Sequence, residues 1–456
     1  MFKKVLILFL TLLIFVFPIN ASAVEKPKIT SRAYVLYNPD SNQVVESVNG
    51  DKKMYPASLT KMLTALVAYE MCEDLDNETA IVSENAIKSI YGTGSSTAGL
   101  QIGEEVTVRQ LLYLLILPSG NDAANVIAEH FCGNNQTFAQ KMNQKAKEIG
   151  MVNSHFANPH GLHDNNHYTT AKDLALLADA YSEIDTLHKI ANSLQFIMPA
   201  TNKQPEREIK TTNLLKIDGS GYFYQYADGL KTGNTDKAGR CLAASAKKGD
   251  VRFICILLDC PEVWQGKTFL RTEFLEAAEV FKYAFENFEY VKIAEKGKKV
   301  GENSVYETFN KKIDILLPDD VFATLPKGTN LSNLKIVYTL DDLNDENLLL
   351  PTITKGEKLG TAKLYLNENL LAKTTVISGN TVTSDWWLKF WHKIDFYVYL
   401  ILAVFGILII LFFALVIRKY VIINKRRREK QRRIEKRKRL QAEFDAKQPY
   451  DYFKMD

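Results

Sequence analysis

The sequence predicts a mixed α/β (α+β) fold, followed by a small β-rich domain and a membrane-spanning helix. Apolar runs with helical spacing alternate with strand-like runs as far as residue 288. Beyond that point come short alternating runs separated by Gly, Asn and Asp turns. Residues 396–417 are then apolar throughout. A chain of 456 residues, 46% apolar and 24% charged, is long enough for two folded domains besides this helix.

The first residues, 1–23, predict a signal peptide. Lys3 and Lys4 precede an apolar core, and the small residues Ala21-Ser22-Ala23 follow it. This order of charge, apolar core and small residues is typical of a secretory signal that is cleaved after Ala23. We therefore expect the domain formed by residues 24–288 to be exported.

Ser58 and Lys61 lie at the start of a predicted buried helix, between Pro56 and the apolar run 62–68. Residues three apart share a helix face, so the Lys61 amine can approach the Ser58 hydroxyl. A serine hydroxyl becomes a good nucleophile when a base takes its proton. A lysine desolvated beside a second cation, for which Lys231 is a candidate, can be neutral enough to do so. The helix N-terminus also favours the negative charge that develops there.

Two further motifs follow in the chain. Ser119-Gly120-Asn121 lies between two helical patterns that Pro118 separates, so we expect it on a turn that faces a cleft. Lys231-Thr232-Gly233 precedes the strand-like runs 241–246 and 251–258. Its glycine would let a substrate backbone approach an edge strand, and its charge and hydroxyl suit a carboxylate. Each motif alone is weak evidence for an active site; a Ser-Gly-Asn sequence, for example, usually forms only a turn. The occurrence of all three motifs in this order is specific evidence for one.

In this order the motifs resemble those of the penicillin-recognising serine enzymes. The wider sequence is similar to the low-molecular-mass penicillin-binding proteins that act as serine-type D-alanyl-D-alanine carboxypeptidases, the peptidase S11-like family. The similarity covers roughly residues 30–290 and is carried by segments 98–104, 119–124, 158–162, 211–215 and 231–239. It implies a penicillin-binding or β-lactamase-like catalytic domain in which helices flank an antiparallel sheet.

The resemblance also implies catalytic roles. Ser58 would be the acylated nucleophile and Lys61 the general base. Ser119 and Asn121 would relay protons and contact the substrate amide. The implied reaction removes the terminal D-alanine from the peptidoglycan pentapeptide, whose stem peptide ends in D-Ala-D-Ala, and contributes to building the cell wall. β-Lactam antibiotics would acylate the same serine as covalent inhibitors.

The substrate-binding residues are implied in the same way. Lys231 and Thr232 would hold the terminal carboxylate of the substrate. The oxyanion hole would use the backbone N–H of Ser58 and that of a residue shortly after Gly233, for which we predict Thr235. No cofactor is implied.

A histidine base and a metal site are weaker interpretations of the same region. His160 lies near Asp164 and Asp173, but it belongs to a turn-forming sequence and Lys61 already serves as base. Four histidines occur in one loop without a recognised ligand spacing, so we predict no metal: His155, His160, His163 and His167. Members of this family often carry an arginine just upstream of the helix that ends the catalytic domain. Arg271 lies near that position, but its spacing to Phe285 differs from the family pattern, so the predicted site does not include it.

Two alternative functions stay open. A β-lactamase shares all three motifs and differs in how fast the acyl-enzyme is hydrolysed. The best-known class of those enzymes carries a Glu-x-x-x-Asn deacylation signature, which begins at none of Glu129, Glu148, Glu183, Glu206 and Glu208. The other alternative is a catalytically silent, membrane-anchored binding or regulatory protein. Its weakness is that Ser58, Lys61 and Lys231 are all intact.

The C-terminal part predicts a β-rich domain and an anchor. Residues 289–380 resemble the β-rich C-terminal domain of the same family. The apolar run 396–417 is about 33 Å long as a helix, enough to cross a bilayer core. Aromatic side chains cluster on its N-terminal side as an interfacial belt would: Trp386, Trp387, Trp391 and Tyr397. We therefore expect a single-pass protein of the cell membrane.

The basic flank fixes the expected orientation. Residues 418–439 contain thirteen Lys or Arg and two Glu, so the tail 418–456 is expected to be cytoplasmic and the catalytic domain extracytoplasmic. The chain as a whole carries +4, so everything outside this flank sums to −7 and leaves no basic nucleic-acid surface on the exported part. We expect the tail to bind anionic lipid, while a cytoplasmic partner stays open.

Overall fold

The computed structural model describes residues 25–446, apart from the side chains of His392 and Asp395. The predicted signal peptide lies outside the described residues. The described chain divides into two compact units. One unit holds everything up to Lys298 together with Leu317–Thr339 and Thr361–Thr375, and the other holds Lys299–Leu316, Leu340–Gly360 and the described residues from Val376 onward.

The first unit contains both helices and strands, as the sequence predicts. The helices of the described chain are α1 (Thr60–Met71), α2 (Glu84–Lys88), α3 (Val108–Ile116), α4 (Asn121–Cys132), α5 (Asn135–Glu148), α6 (Ala171–Ser182), α7 (Asp185–Asn192), α8 (Thr272–Asn287) and α9 (Trp386–Asp445). The strands are β1 (Ala33–Asn38), β2 (Gln43–Val48), β3 (Thr79–Ile81), β4 (Glu105–Thr107), β5 (Gln195–Met198), β6 (Arg207–Lys210), β7 (Ala227–Thr235), β8 (Gly239–Lys248), β9 (Val251–Cys260), β10 (Val263–Gln265), β11 (Thr268–Leu270), β12 (Phe288–Ala294), β13 (Lys299–Ser304), β14 (Lys312–Leu316), β15 (Val321–Pro326), β16 (Leu334–Leu340), β17 (Lys358–Leu366) and β18 (Asn369–Ser378).

An antiparallel five-stranded sheet in the order β2-β1-β9-β8-β7 forms the centre of the first unit. Strand β9 is apolar at almost every position because both faces of the sheet are covered, and successive side chains point to opposite faces. Ile254, Ile256 and Leu258 join the core that contains α1, α4 and α6. Phe253, Cys255 and Leu257 join the core formed with α8. The predicted arrangement of helices around an antiparallel sheet is confirmed.

Helix α1 is buried on all sides. Every residue from Thr60 to Ala68 is inaccessible to solvent, including the charged Lys61. The helix follows a 3-10 turn, Ala57–Leu59, which begins directly after Pro56. The sequence prediction of a buried helix opening after this proline is therefore confirmed, and the 3-10 turn carries Ser58.

Two helices meet at the Ser119-Gly120-Asn121 turn. Thr107 and Gln110 form a capping box at the start of α3, and α4 begins at Asn121. Gly120 has no room for a side chain, since a Cβ there would fall 2.8 Å from the carbonyl oxygen of Leu114. Proline and close backbone packing thus break the helical pattern where the sequence indicates a turn.

The part of the chain after α8 is rich in strands. In the first unit β12 pairs with β15, and in the second unit β13 pairs with β14, both antiparallel. The sequence has short alternating runs at 291–294, 312–317, 334–338 and 359–366, and these correspond to β12, β14, β16 and β17. Strands β13, β15 and β18 were not identified from the sequence.

Helix α9 continues without a break from Trp386 to Asp445. It is the one helix of the described residues that is long and apolar enough to cross a membrane, and none of its apolar window is buried. The basic residues after Ile417 belong to the same helix.

Candidate active site

The Lys61 amine occupies the centre of the site. Its Nζ atom lies 2.8 Å from Ser58 Oγ, 2.6 Å from Asn121 Oδ1 and 2.8 Å from the carbonyl oxygen of His160. A charged ammonium donates to all three acceptors. A neutral amine donates to the Asn121 and His160 oxygens, and its lone pair accepts a hydrogen bond from the Ser58 hydroxyl. Since Ser58 is the only one of the three partners that carries a transferable proton, this geometry suits proton transfer from Ser58 to Lys61.

The electrostatics favour the neutral form of Lys61. Burial, and next the charge of Lys231, lower the pKa of Lys61 well below its ordinary value, while Asp122 acts in the opposite direction. Burial also lowers the pKa of Lys231, to about 7. Lys231 is thus the second cation that the sequence led us to expect near Lys61.

Strand β7 passes directly beside Ser58. A Cβ at Gly233 would fall 3.3 Å from the backbone nitrogen of Ser58 and 3.2 Å from the carbonyl oxygen of Pro56. The Thr232 and Thr212 hydroxyl oxygens are 2.7 Å apart, and Lys231 Nζ donates to the carbonyl oxygen of Thr232 at 2.9 Å. Because β7 lies at the edge of the sheet, its outer side is open to an extended ligand.

A cavity of about 530 Å³ collects most of the predicted residues. Its walls include Ser58, Ser119, Asn121, Thr232, Gly233 and Thr235. Lys61 and Lys231 do not reach its surface; they are buried beneath it. The hydroxyl of Thr235 accepts a hydrogen bond from the amide of Ala238 at 3.1 Å, so this side chain also closes the turn after β7.

Two residues of the site turns, Ala57 beside Ser58 and Ser119 itself, have strained backbone conformations. Ala57 has φ 49° and Ser119 has φ 65°, both in the left-handed region. Such conformations cost on the order of 1–3 kcal/mol each for residues with a Cβ. Packing around both turns maintains them, as the contact of Gly161 shows: a Cβ there would fall 1.9 Å from the Ala57 carbonyl oxygen.

Comparison with known proteins shows the family of this chain. The family model described as D-alanyl-D-alanine carboxypeptidase matches residues 20–262, more than half of the chain. The chain belongs to the D-alanyl-D-alanine carboxypeptidase family. A second model, described as the C-terminal domain of penicillin-binding protein 5, matches residues 288–384. The family resemblance found in the sequence is therefore confirmed.

Individual relatives match this carboxypeptidase-family protein over most of its length. It is 29% identical to D-alanyl-D-alanine carboxypeptidase DacF of Bacillus subtilis over 81% of its own length and 92% of that protein. It is 30% identical to DacA of Haemophilus influenzae over 79% of its length and 87% of that protein. The crystal structure of penicillin-binding protein 5 from Haemophilus influenzae superposes with a TM-score of 0.64 at 31% identity, covering 79% of this chain and all of that one.

Arg271 is a cavity residue that the sequence prediction left out. It lines the same cavity as Ser58, and its Nε atom lies 2.6 Å from Oε1 of the buried Glu273. The hairpin of β10 and β11 separates it from β9, so its position in the cavity depends on tertiary structure. The available signal was its place immediately before α8.

His160 supports the site through its backbone. Its carbonyl oxygen accepts from Lys61, and its ring nitrogen Nδ1 accepts from the amide of Leu162 at 3.2 Å. Burial, and next the charge of Lys61, lower the pKa of His160 to about 3, so the ring is neutral. Asp173 is engaged elsewhere, by Ser154 at 2.7 Å. These contacts favour a role for His160 in bracing its own loop over membership of a Ser-His-Asp triad.

Proposed function

We propose that this chain is a serine-type D-Ala-D-Ala carboxypeptidase that releases the terminal D-alanine from peptidoglycan stem peptides through an acyl-Ser58 intermediate. The observation that carries the proposal is the buried Lys61 amine, which lies 2.8 Å from Ser58 Oγ and has a lowered pKa. The relatives are D-alanyl-D-alanine carboxypeptidases by name. Penicillin binding follows from the same chemistry, because a β-lactam presents a reactive amide to the same nucleophile.

Acylation would begin with proton transfer from Ser58 Oγ to Lys61 Nζ. The Oγ atom attacks the carbonyl carbon of the penultimate D-alanine and forms a tetrahedral oxyanion. The backbone N–H of Ser58 and an N–H of β7 beyond Gly233, which we assign to Thr235, would stabilise this charge. Collapse of the intermediate breaks the peptide bond, and the proton returns through Ser119 to the leaving D-alanine amine. Water then hydrolyses the ester.

Residues of the cavity wall on both sides of the scissile bond would orient the substrate. The Asn121 side chain would contact the substrate amide. The Thr232 hydroxyl and the Arg271 guanidinium, both in the cavity wall, suit the terminal carboxylate. Lys231, whose amine is buried beneath the cavity, would attract that carboxylate through its charge without touching it.

The test is release of D-alanine from a pentapeptide ending in D-Ala-D-Ala, together with covalent labelling by a fluorescent penicillin. Ser58→Ala is expected to lose both activities. Ser95→Ala is the matched control, because Ser95 lines the same cavity and its hydroxyl is bonded to Thr93 at 2.7 Å. Labelling that survives in Ser58→Ala, or a label that maps to another peptide by mass, would contradict the proposal.

We further propose that α9 anchors the enzyme by a single span with its C-terminus in the cytoplasm. The apolar run 396–417 supports the span, and the thirteen cations of residues 418–439 support the orientation. The catalytic domain would then face the cell wall, where its substrate is found. The tail would contact anionic lipid at the inner leaflet.

A further inference from the structure

A second cavity adjoins the active-site cavity. It has a volume of about 320 Å³ and shares Lys237 with the cavity that contains Ser58. Tyr55 in the wall of the second cavity packs edge-on against His163 in the wall of the first, with ring centroids 4.6 Å apart. The two cavities are therefore immediate neighbours that share a wall.

The second cavity is lined by cations. Four basic side chains and one carboxylate contribute to its walls: Arg32, Lys52, Lys53, Lys237 and Asp259. Asp259 lies 3.0 Å from Arg32 and compensates that one charge. Within the described chain, the three lysines form no ion pair. We refer to Arg32, Lys52, Lys53 and Lys237 as the basic annex.

Neighbouring groups leave these lysine charges available. Asp51 precedes Lys52 in the chain, but its carboxylate is paired with Lys172 at 2.6 Å. Lys53 lies over the ring of Tyr168, 4.2 Å from the centroid, which fixes the amine without neutralising it. The positive annex also differs in sign from the net charge of the chain outside residues 418–439, which is −7.

We propose that the basic annex binds a carboxylate of the stem peptide that lies upstream of the D-Ala-D-Ala unit, so that the enzyme prefers acidic stems to amidated ones. This inference rests on the proposed function. The occupant is assigned to the substrate because the annex adjoins the active-site cavity and Lys237 lines both. Its volume suits one or two amino-acid residues of the stem, and a carboxylate is the group that uncompensated lysines recognise.

The proposal is tested with two pentapeptides ending in D-Ala-D-Ala that differ in one group: L-Ala-γ-D-Glu-L-Lys-D-Ala-D-Ala and the same peptide with the free α-carboxyl of its D-Glu converted to an amide, called the D-Glu and the amidated peptide below. The full chain in detergent is expected to show kcat/KM about 5-fold higher for the D-Glu peptide, the size of two or three exposed ion pairs. In the double variant Lys52→Gln, Lys53→Gln this ratio is expected to fall toward one. Added salt is expected to lower the ratio in the unmodified enzyme.

The matched control is Lys141→Gln, Lys147→Gln, which removes two exposed charges from α5 and is expected to keep the full ratio. Equal rates for the two peptides in the unmodified enzyme would overturn the proposal. A ratio that persists in Lys52→Gln, Lys53→Gln would also overturn it, as would an equal loss on both peptides, which indicates a structural role. If the unmodified enzyme releases D-alanine from neither peptide, the proposed function itself fails and the annex loses its assigned ligand.

Discussion

Lys61 and Lys231 are buried together beneath the active-site cavity, and the charge of Lys231 contributes to the lowered pKa of Lys61. Burial alone lowers the pKa of Lys231 to about 7. A pair of buried lysines without a directly bonded carboxylate costs stability when both are charged. In the proposed mechanism the same arrangement is useful, because the lowered pKa of Lys61 favours the neutral amine that a general base requires.

The first prediction concerns Lys61→Arg. Arginine retains the positive charge but cannot act as a base at accessible pH. We expect acylation by fluorescent penicillin to fall at least about 100-fold, the usual contribution of a general base. Circular dichroism and thermal unfolding check that the variant is folded. Near-normal acylation by a folded Lys61→Arg enzyme would exclude the lysine base and bring His160 back into consideration.

The second prediction concerns the pH dependence of stability. Lys231 has a pKa of about 7 in the fold, below the value of about 10.4 for an unfolded lysine. Between these values the unfolded chain binds the extra proton, so the free energy of unfolding rises with pH. The contribution of this one group is about 1.4 kcal/mol per pH unit at most.

Replacing Lys231 by Met removes that contribution. Denaturant unfolding between pH 7 and pH 9 is expected to show a shallower rise for Lys231→Met than for the unmodified protein. Lys141→Gln, which changes an exposed lysine of α5, serves as the control and is expected to keep the slope. Parallel slopes for Lys231→Met and the unmodified protein would show that the fold does not favour a neutral Lys231.

The third prediction separates backbone strain from steric contact. Gly161 and Gly133 both have positive φ, 89° and 76°, but a Cβ at Gly161 meets the Ala57 carbonyl oxygen whereas one at Gly133 meets nothing within 4 Å. Gly133→Ala is therefore expected to cost only the strain, about 1 kcal/mol. Gly161→Ala is expected to displace the Ser58 turn, with a larger drop in Tm and slower acylation. Equal effects of the two substitutions would contradict the tight packing of this loop on the nucleophile.

Local sequence relations predicted the parts of the site that depend on local geometry. Ser58 and Lys61 are three residues apart at a helix start, and their contact follows from the helical repeat. Pro118 and Gly120 break a helical pattern, which identified the turn of Ser119 and Asn121. These features need no knowledge of the tertiary fold.

The sequence did not predict the features of the site that depend on tertiary packing. The carbonyl of His160 reaches Lys61 because a distant loop packs on the turn before α1, and a backbone acceptor leaves no mark in residue types. Arg271 follows the β10–β11 hairpin, and only the tertiary fold brings it into the cavity wall. Strand β15 has no clear apolar–polar alternation in the sequence and ends in a proline, so the sequence pattern does not predict it. The basic annex likewise gathers Arg32 and Lys237 from positions far apart in the chain.

The fourth prediction tests the topology. Both apolar segments lie outside residues 24–385, so this part expressed alone is expected to remain in solution and to hydrolyse the pentapeptide. In spheroplasts, added protease is expected to remove the catalytic body of the full chain and to leave a small C-terminal fragment that includes the tail. Loss of the tail with protection of the catalytic body would reverse the proposed orientation.

The last prediction concerns the basic tail, whose charge exceeds what orientation requires. A few cations near a span usually fix topology, whereas residues 418–439 contain thirteen. Helix α9 is continuous through Asp445, and without a bend it would carry Arg439 about 33 Å beyond Ile417. The field of an anionic surface is screened within about 8 Å at physiological ionic strength. Lipid contact along the tail therefore requires α9 to bend where it leaves the bilayer.

At about 1 kcal/mol for each cation near the surface, the gain is large enough to stabilise such a bend. A synthetic peptide of residues 418–445 is thus expected to bind vesicles that contain anionic lipid and to dissociate as salt rises. Replacing the cations of Lys425–Arg439 with Gln, while keeping Arg418 and Lys419, is expected to abolish this binding and to leave orientation and hydrolysis of a soluble pentapeptide unchanged. Binding that resists salt, or equal binding to neutral vesicles, would mean that the tail recognises something other than lipid charge. A continuous basic helix that projects from the membrane would then be better explained by a protein partner in the cytoplasm.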